Sequence, residues 1–406
     1  MFLNIAFQNL WRNKRRTLFT ELAIVFGVVV VIFTGAFLKG MFRFWAQDVF
    51  ISATTGAFQI EHQKYRAEST LDPLGTTLTN GAELIASVER MPGVQAAYGE
   101  LRIVGIVSNG SRSDVFDGRG VDRDGQGRVL PGSDDLIRAG RSLRDDPNEV
   151  VLGQLLADKL GVAVGDQVAI VVRTLQGGID LMYGKVVGVK SGSHFPSATY
   201  LEMNLSRAQK FLRMPNRVSQ ILVKTREFDR SVEYAETAAA KLKDAGQPVI
   251  VRNYTELIPM YVTVGSVFKL IATTISLILF VIIGLGIANA MFVAIRERRK
   301  EIGTLLAIGM EPFQTRRLFL LEGVLIGLLG AVIGLVLAVG LAHAISAHGG
   351  LRFDGPDSAI ITVLPRIDWS ITGLALGLSF VISIVASWFP AAASAKLNPV
   401  EALTEA

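Results

Sequence analysis

The chain has 406 residues, half of them hydrophobic and only 19% charged, which excludes a disordered segment and argues against an ordinary soluble enzyme. Lys and Arg outnumber Asp and Glu by 41 to 36, a net charge of +5, which fits nucleic acid, anionic lipid or basic membrane flanks. Cysteine is absent, so there is no disulfide framework, no thiolate zinc site and no thiol nucleophile.

In chain order, Leu3, Ala6, Phe7 and Leu10 follow helical spacing, and Trp11 with Arg12, Lys14, Arg15 and Arg16 suits a headgroup layer. This predicts an amphipathic elbow over 1–16. The 21-residue run Leu18–Leu38 carries one charge, Glu21. It exceeds the roughly 7–15 residues of a signal-peptide core and reads as an uncleaved anchor. Leu270–Ala294, Gly323–Ala342 and Ile371–Pro390 carry no charge at all. About 20 apolar residues cross a hydrocarbon core of about 30 Å, so four membrane spans are predicted. The divisions are 17–44 for the first span with its stalk, 45–255 for a large extracytoplasmic domain and 256–295 for a second stalk and span. A loop over 296–322, a third span over 323–342, an outer loop over 343–369, a fourth span over 370–390 and a tail over 391–406 follow.

Within the large domain, strands are predicted at Gly56–Glu61, Arg102–Val107, Val168–Val172 and Val186–Val189, and helices at Ala82–Arg90 and Leu205–Leu212. The mixture predicts an α+β domain of two lobes. The fold class is therefore an α-helical membrane protein with four transmembrane helices plus a large extracytoplasmic α+β domain between helices one and two. The positive-inside rule places both ends and the loop 296–322 in the cytoplasm, because that loop holds Arg296, Arg298, Arg299, Lys300, Arg316 and Arg317.

Catalytic patterns are missing. The sequence has no G-x-x-x-x-G-K-[ST] to cradle nucleotide phosphates, no H-E-x-x-H and no G-x-S-x-G, and His62, His194, His343 and His348 are scattered. Asp122–Gly127 looks superficially like a calcium loop, but Ser133 stands where the twelfth-position Glu belongs; a surface turn is expected. Glu21 is the one acid inside a span, which makes it a functional candidate beside its reading as an interfacial charge. Gly323, Gly327, Gly330 and Gly334, Gly373 and Gly377, and Ser379, Ser383 and Ser387 form small-residue stripes suited to close helix packing.

The loop 296–322 is the most informative segment. Glu301, Ile302, Leu305 and Leu306 predict a short helix with a charged start and one apolar face, ended by Gly309 and Pro312. It reads either as a membrane-surface helix or as a helix that docks in a groove of a partner.

These residues resemble a known family. "IAFQNLWRNKRRTLFTELAIVFGV", "RERRKEIGTLLAIGMEPFQTRRLFLLEGVLIGLLGAVIG", "FPAAASAKLNPVEAL" and "LADKLGVAVGDQV" are similar to the ABC-transporter permeases of the FtsX/MacB/LolC–LolE superfamily. "TTGAFQIEHQKY" is most similar to the lipoprotein-releasing members. The resemblance implies a MacB-like periplasmic core domain, a bacterial inner-membrane location and a second permease protomer in a homo- or heterodimer. It also implies a cytoplasmic ABC ATPase dimer that binds ATP and Mg²⁺, with no cofactor on this chain. Arg298, Glu301, Ile302, Leu305 and Leu306 are then the ATPase-coupling candidates, with Ile302, Leu305 and Leu306 in the groove and Arg298 and Glu301 on its rim.

Lipoprotein or similar amphiphile cargo is expected between spans one and two, against Val29, Ile32, Phe33, Phe37 and Met41. Members of the LolC type grip a periplasmic carrier with a proline-containing hairpin. The corresponding stretch, Arg173–Tyr183, has no proline; its candidate contacts are Leu175, Gly177, Gly178 and Met182. The leading expectation is a permease that drives lipoprotein release. An FtsX-like transducer regulating a cell-wall hydrolase and a MacB-like efflux permease are the alternatives. No nucleic acid partner and no enzymatic activity of this chain are expected.

Overall fold

A computed structural model describes residues 14–69, 72–144, 146–191, 199–354 and 360–396. The predicted elbow lies almost wholly outside the described residues, and the C-terminal signature is described only as far as Lys396. The chain divides into two compact units, one of residues 1–44 with 263–406 and one of residues 45–262.

The second unit is built on one continuous sheet. Its strands are β1 (Phe58–His62), β2 (Val94–Ser108), β3 (Ser113–Val121), β4 (Ile137–Gly140), β5 (Glu149–Gly153), β6 (Gln167–Arg173), β7 (Ile179–Lys190), β8 (Tyr200–Asn204), β9 (Gln220–Thr225) and β10 (Val249–Asn253). The longer helices are α2 (Gly81–Glu89), α3 (Arg123–Val129), α4 (Gln154–Leu160), α5 (Leu205–Leu212) and α6 (Ser231–Asp244). β2 belongs to two lobes. Its first half pairs with β9 in the antiparallel run β10-β1-β9-β2, covered by α2 and α6. Its second half pairs with β3 on one side and β6 on the other. The pairings β2-β3-β8-β5-β7-β6-β2 close on themselves, so six strands form a small barrel.

Strand alternation fills that barrel. Ile103, Val107, Phe116, Val150, Leu152, Ile170, Val172, Met182 and Leu201 point inward with α4 and α5 residues beside them. Charges are buried too. Lys190 Nζ donates to both Glu202 carboxylate oxygens, at 2.8 and 2.7 Å, and to Ser133 Oγ at 3.0 Å. Tyr200 and Gln126 also donate to Glu202, at 2.6 and 2.9 Å. Burial would raise the Glu202 carboxyl, but the Lys190 ammonium and these donors outweigh it and hold it below the ordinary range. The Asp122–Gly127 segment is a helix cap: Asp122 accepts from the Gly125 N–H at 2.9 Å and starts α3.

The first unit holds four long apolar helices: α1 (Lys14–Arg43), α7 (Pro259–Glu297), α9 (Pro312–Ala347) and α10 (Trp369–Ser394). At 1.5 Å per residue α7 and α9 are about 58 and 54 Å long, well beyond the bilayer, so both protrude or tilt. The third span's helix begins at Pro312 rather than near Gly323, because Glu311 and Gln314 form a capping box and proline is favoured in the first turn. α1 continues as a π-helical stretch over Phe44–Thr55. A hairpin of β11 (Leu351–Asp354) and β12 (Ile360–Val363) stands between α9 and α10.

The glycine stripe of α9 is used on two sides. A Cβ on Gly323 or Gly327 would strike the Ser387 or Ser383 hydroxyl of α10, and one on Gly330 or Gly334 would strike Ile24 or Val28 of α1. Close backbone approach is therefore what α9 supplies. Gly373 and Gly377 differ from expectation. Nothing lies within 4 Å of a Cβ placed at either, so this pair packs against no other helix of the described chain.

Candidate functional site: the helix between the second and third spans

The loop 296–322 folds as α8 (Arg299–Ala307) between α7 and α9. Gly309 ends it at φ +101°, and the Met310 N–H reaches the Leu305 carbonyl at 3.0 Å. Helical periodicity divides its apolar residues. Ile302 is 2% exposed and packs in the bundle core with Ile295 and Phe319, whereas Leu305 is 39% and Ile308 77% exposed. Phe313, in the first turn of α9, is 68% exposed. Leu306 is half-buried, packed beside the core, and Glu301 is exposed.

Two expectations are corrected here. Ile302 faces its own bundle, so it does not present itself to a partner. Arg298 is buried and its Nη1 donates to Glu322 Oε1 of α9 at 3.5 Å, so it is no rim residue. The exposed apolar surface at this corner is Leu305 of α8, Ile308 at its C-terminal end and Phe313 of α9. Sequence does not single out Ile308 and Phe313: Ile308 is the residue on which α8 ends, and Phe313 lies beyond the Gly309–Pro312 break, where helical spacing no longer applies. Arg316 stacks on the Trp388 ring at 3.7 Å, joining α9 to α10 at the same end of the bundle.

The α1 candidates also separate. Ile32 is 2% exposed and Val29 packs against the bundle core, so these two face other helices of the same chain. Phe33 and Phe37 are half-buried, with the Phe37 ring edge-on to Phe353 of β11 at 6.2 Å. Met41 is 36% exposed. The upper part of α1 is fastened: Lys39 pairs with Asp368 at 2.9 Å, the Arg366 N–H bonds the Ala36 carbonyl at 2.9 Å, and a Cβ on Gly40 would strike the Leu364 carbonyl. α7 is the open helix. Much less of it is buried than of α1, and Leu270, Leu277, Ile278, Ile282 and Leu285 are all more than half exposed.

The stretch Arg173–Tyr183 is the β6–β7 hairpin, turning at Gly177 with φ +85°. Leu175 is 40% exposed at the turn and Gly178 bonds back to Thr174 through its carbonyl at 2.8 Å. Met182 is corrected: at 4% exposure it points into the barrel. Strand parity puts its neighbours outside instead, Ile179 at 81% and Tyr183 at 61%. In register with them, Val115, Ile106, Val171 and Leu181 form one row across β3, β2, β6 and β7. The outer barrel wall is thus an exposed apolar face.

This arrangement defines a polytopic membrane protein: four spans, a large α+β insertion after the first, and a short amphipathic helix between the second and third. Family models match along almost the whole chain, the MacB-like periplasmic core domain over residues 17–269 and the FtsX-like permease C-terminal domain over residues 273–399. The chain belongs to the FtsX/MacB/LolC superfamily of ABC-transporter permeases that carry a MacB-like periplasmic core domain.

Among relatives, the macrolide export ATP-binding/permease protein MacB of Agrobacterium fabrum is 25% identical, covering 99% of this chain and 60% of its own length. An uncharacterized ABC transporter permease of Methanocaldococcus jannaschii is 27% identical over 66% of this chain and 65% of its own. The lipoprotein-releasing system transmembrane protein LolC of Xylella fastidiosa is 27% identical over 64% of this chain and 66% of its own. The chain thus spans about three fifths of the MacB relatives' length. The crystal structure of the periplasmic region of MacB from Actinobacillus actinomycetemcomitans matches 55% of this chain and 97% of that one, with 15% identity and a TM-score of 0.40.

Proposed function

We propose that this chain is the transmembrane subunit of an ABC transporter whose ATP hydrolysis occurs in a separate subunit docked on α8. The observation that carries the reading is the short capped helix α8, with Leu305, Ile308 and Phe313 presented beside a basic loop. Positive-inside counting puts α8 and both termini in the cytoplasm and the large domain outside. The four spans and the family support an inner-membrane location. Movement of α8 would pass along α7, whose helix is unbroken from Pro259 to Glu297, towards the outer domain. The cargo is a lipoprotein or similar amphiphile drawn from the outer leaflet, and the open apolar flank of α7 together with Phe33, Phe37 and Met41 would receive it. A second protomer would cover part of that flank. The outer barrel wall at Ile179, Leu181 and Tyr183 would receive a periplasmic carrier.

A second reading, MacB-like efflux of cargo already outside, is favoured by the match of MacB proteins along 99% of the chain. The test of the ATPase arm is co-purification of the ABC ATPase with the Leu305→Ala/Ile308→Ala variant. Losing two apolar anchors, each about 1.5–3 kcal/mol when fully buried, should weaken the complex more than about tenfold with membrane insertion unchanged. Undiminished co-purification contradicts docking on α8. Release of a radiolabelled lipoprotein from proteoliposomes, set against export of a soluble cargo, separates the two readings.

A further inference from the structure

We propose that the buried ion pair between Arg298 and Glu322 pins the corner between α7 and α8 onto α9, making α8 and α9 one mechanical piece. The functional consequence rests on α8 being the docking helix, but the pin itself does not.

Arg298 belongs to two helices at once. Its N–H bonds the Ala294 carbonyl at 3.2 Å, closing the last turn of α7, and its carbonyl accepts the Ile302 N–H at 2.9 Å, opening α8. Its backbone leaves helical geometry at φ −103°, ψ 18°, so the chain changes direction there. The side chain is 7% exposed and that of Glu322 is 5% exposed. Ile295 and Ile302, a turn to either side of Arg298, and Phe319, a turn before Glu322, are buried in one apolar cluster. Two charges in such surroundings are held together less by the strength of their contact than by the penalty of separating them.

The covalent route from α8 to α9 does not hold them together in the same way. It runs through Gly309 in a left-handed conformation and the extended Glu311, with no helix continuing across them. The pin fixes the other end of α8. On α9 the next residue, Gly323, lies against Ser387 of α10, and Gly330 and Gly334 lie against α1. A force on α8 that reaches Glu322 therefore reaches α9, α10 and α1 together. Arg298 and Glu322 are positioning residues in this scheme and touch neither nucleotide nor cargo.

The chain has no cysteine, so a single introduced thiol reports on local opening without any partner. Ile302→Cys on the inward side of α8, in nanodiscs, is labelled with N-ethylmaleimide. Adding Arg298→Ala or Glu322→Gln is expected to speed labelling on the order of 100-fold, as breaking one side of a buried pair implies. The charge swap Arg298→Glu/Glu322→Arg is expected to restore most of the protection. Ser387→Cys, between α9 and α10, is expected to stay protected in every background. Single variants that label no faster, or a swap that labels as fast as they do, overturn the pin. Faster labelling at Ser387→Cys in the single variants also overturns it, because the bundle as a whole would then have loosened. None of these outcomes depends on the ATPase, so they are separable from failure of the docking assignment.

Discussion

Glu202 and Gly327 show how single residues hold each unit. Glu202 is 2% exposed, and its folded-state carboxyl lies below the ordinary range. A depressed carboxylate contributes stability above its unfolded pKa and loses it as pH falls through the folded value. The outer domain should therefore lose stability as pH drops below the ordinary carboxylate value of 4.5. Lys190→Met leaves the carboxylate buried without its cation, at a cost of about 3–5 kcal/mol. Urea unfolding of the variant against pH checks both, and a variant as stable as the parent at pH 7 contradicts the assignment. In the bundle, Gly327→Ala should cost about 1–3 kcal/mol because its methyl meets Ser383. Gly373→Ala, with open space, should stay within about 0.5 kcal/mol. Equal melting of the two variants in detergent would refute the packing argument.

At the scale of elements, hydropathy made the four spans legible because a run of 20 apolar residues has few other uses. The helix Leu205–Leu212 was legible to the residue, and the two lobes were legible in outline. The closed barrel was not, since it depends on β2 pairing with β6 across more than sixty residues, and no local signal marks such a partner. Parity was the other weak point. Met182 and Ile179 are both apolar, and only the register says that the first faces the core and the second solvent. The same ambiguity misplaced Ile302 and Arg298: a short amphipathic helix shows which residues share a face, not whether that face meets its own bundle or a partner. Glu322 carried no signal at all, being 24 residues from Arg298. For the outer wall, Ile179→Ser/Tyr183→Ser should leave the melting temperature within about 2 °C, because both side chains are exposed. A large drop would mean that the wall is packed against something within the chain.

For the molecule as a whole, the proposed function requires α8 and the barrel domain on opposite sides of one membrane. The basic residues around α8, Arg296, Arg299 and Lys300 among them, carry the expectation that α8 is cytoplasmic. The most direct measurement uses the natural lack of cysteine. Ser111→Cys, in the exposed β2–β3 turn, and Thr304→Cys, exposed on α8, are labelled separately in intact cells with a membrane-impermeant maleimide, then again after permeabilisation. Ser111→Cys is expected to label in intact cells whose outer envelope admits the reagent, and Thr304→Cys only once the inner membrane is opened. Labelling of Thr304→Cys in intact cells, or protection of Ser111→Cys until permeabilisation, would place α8 outside or the domain inside and contradict the account.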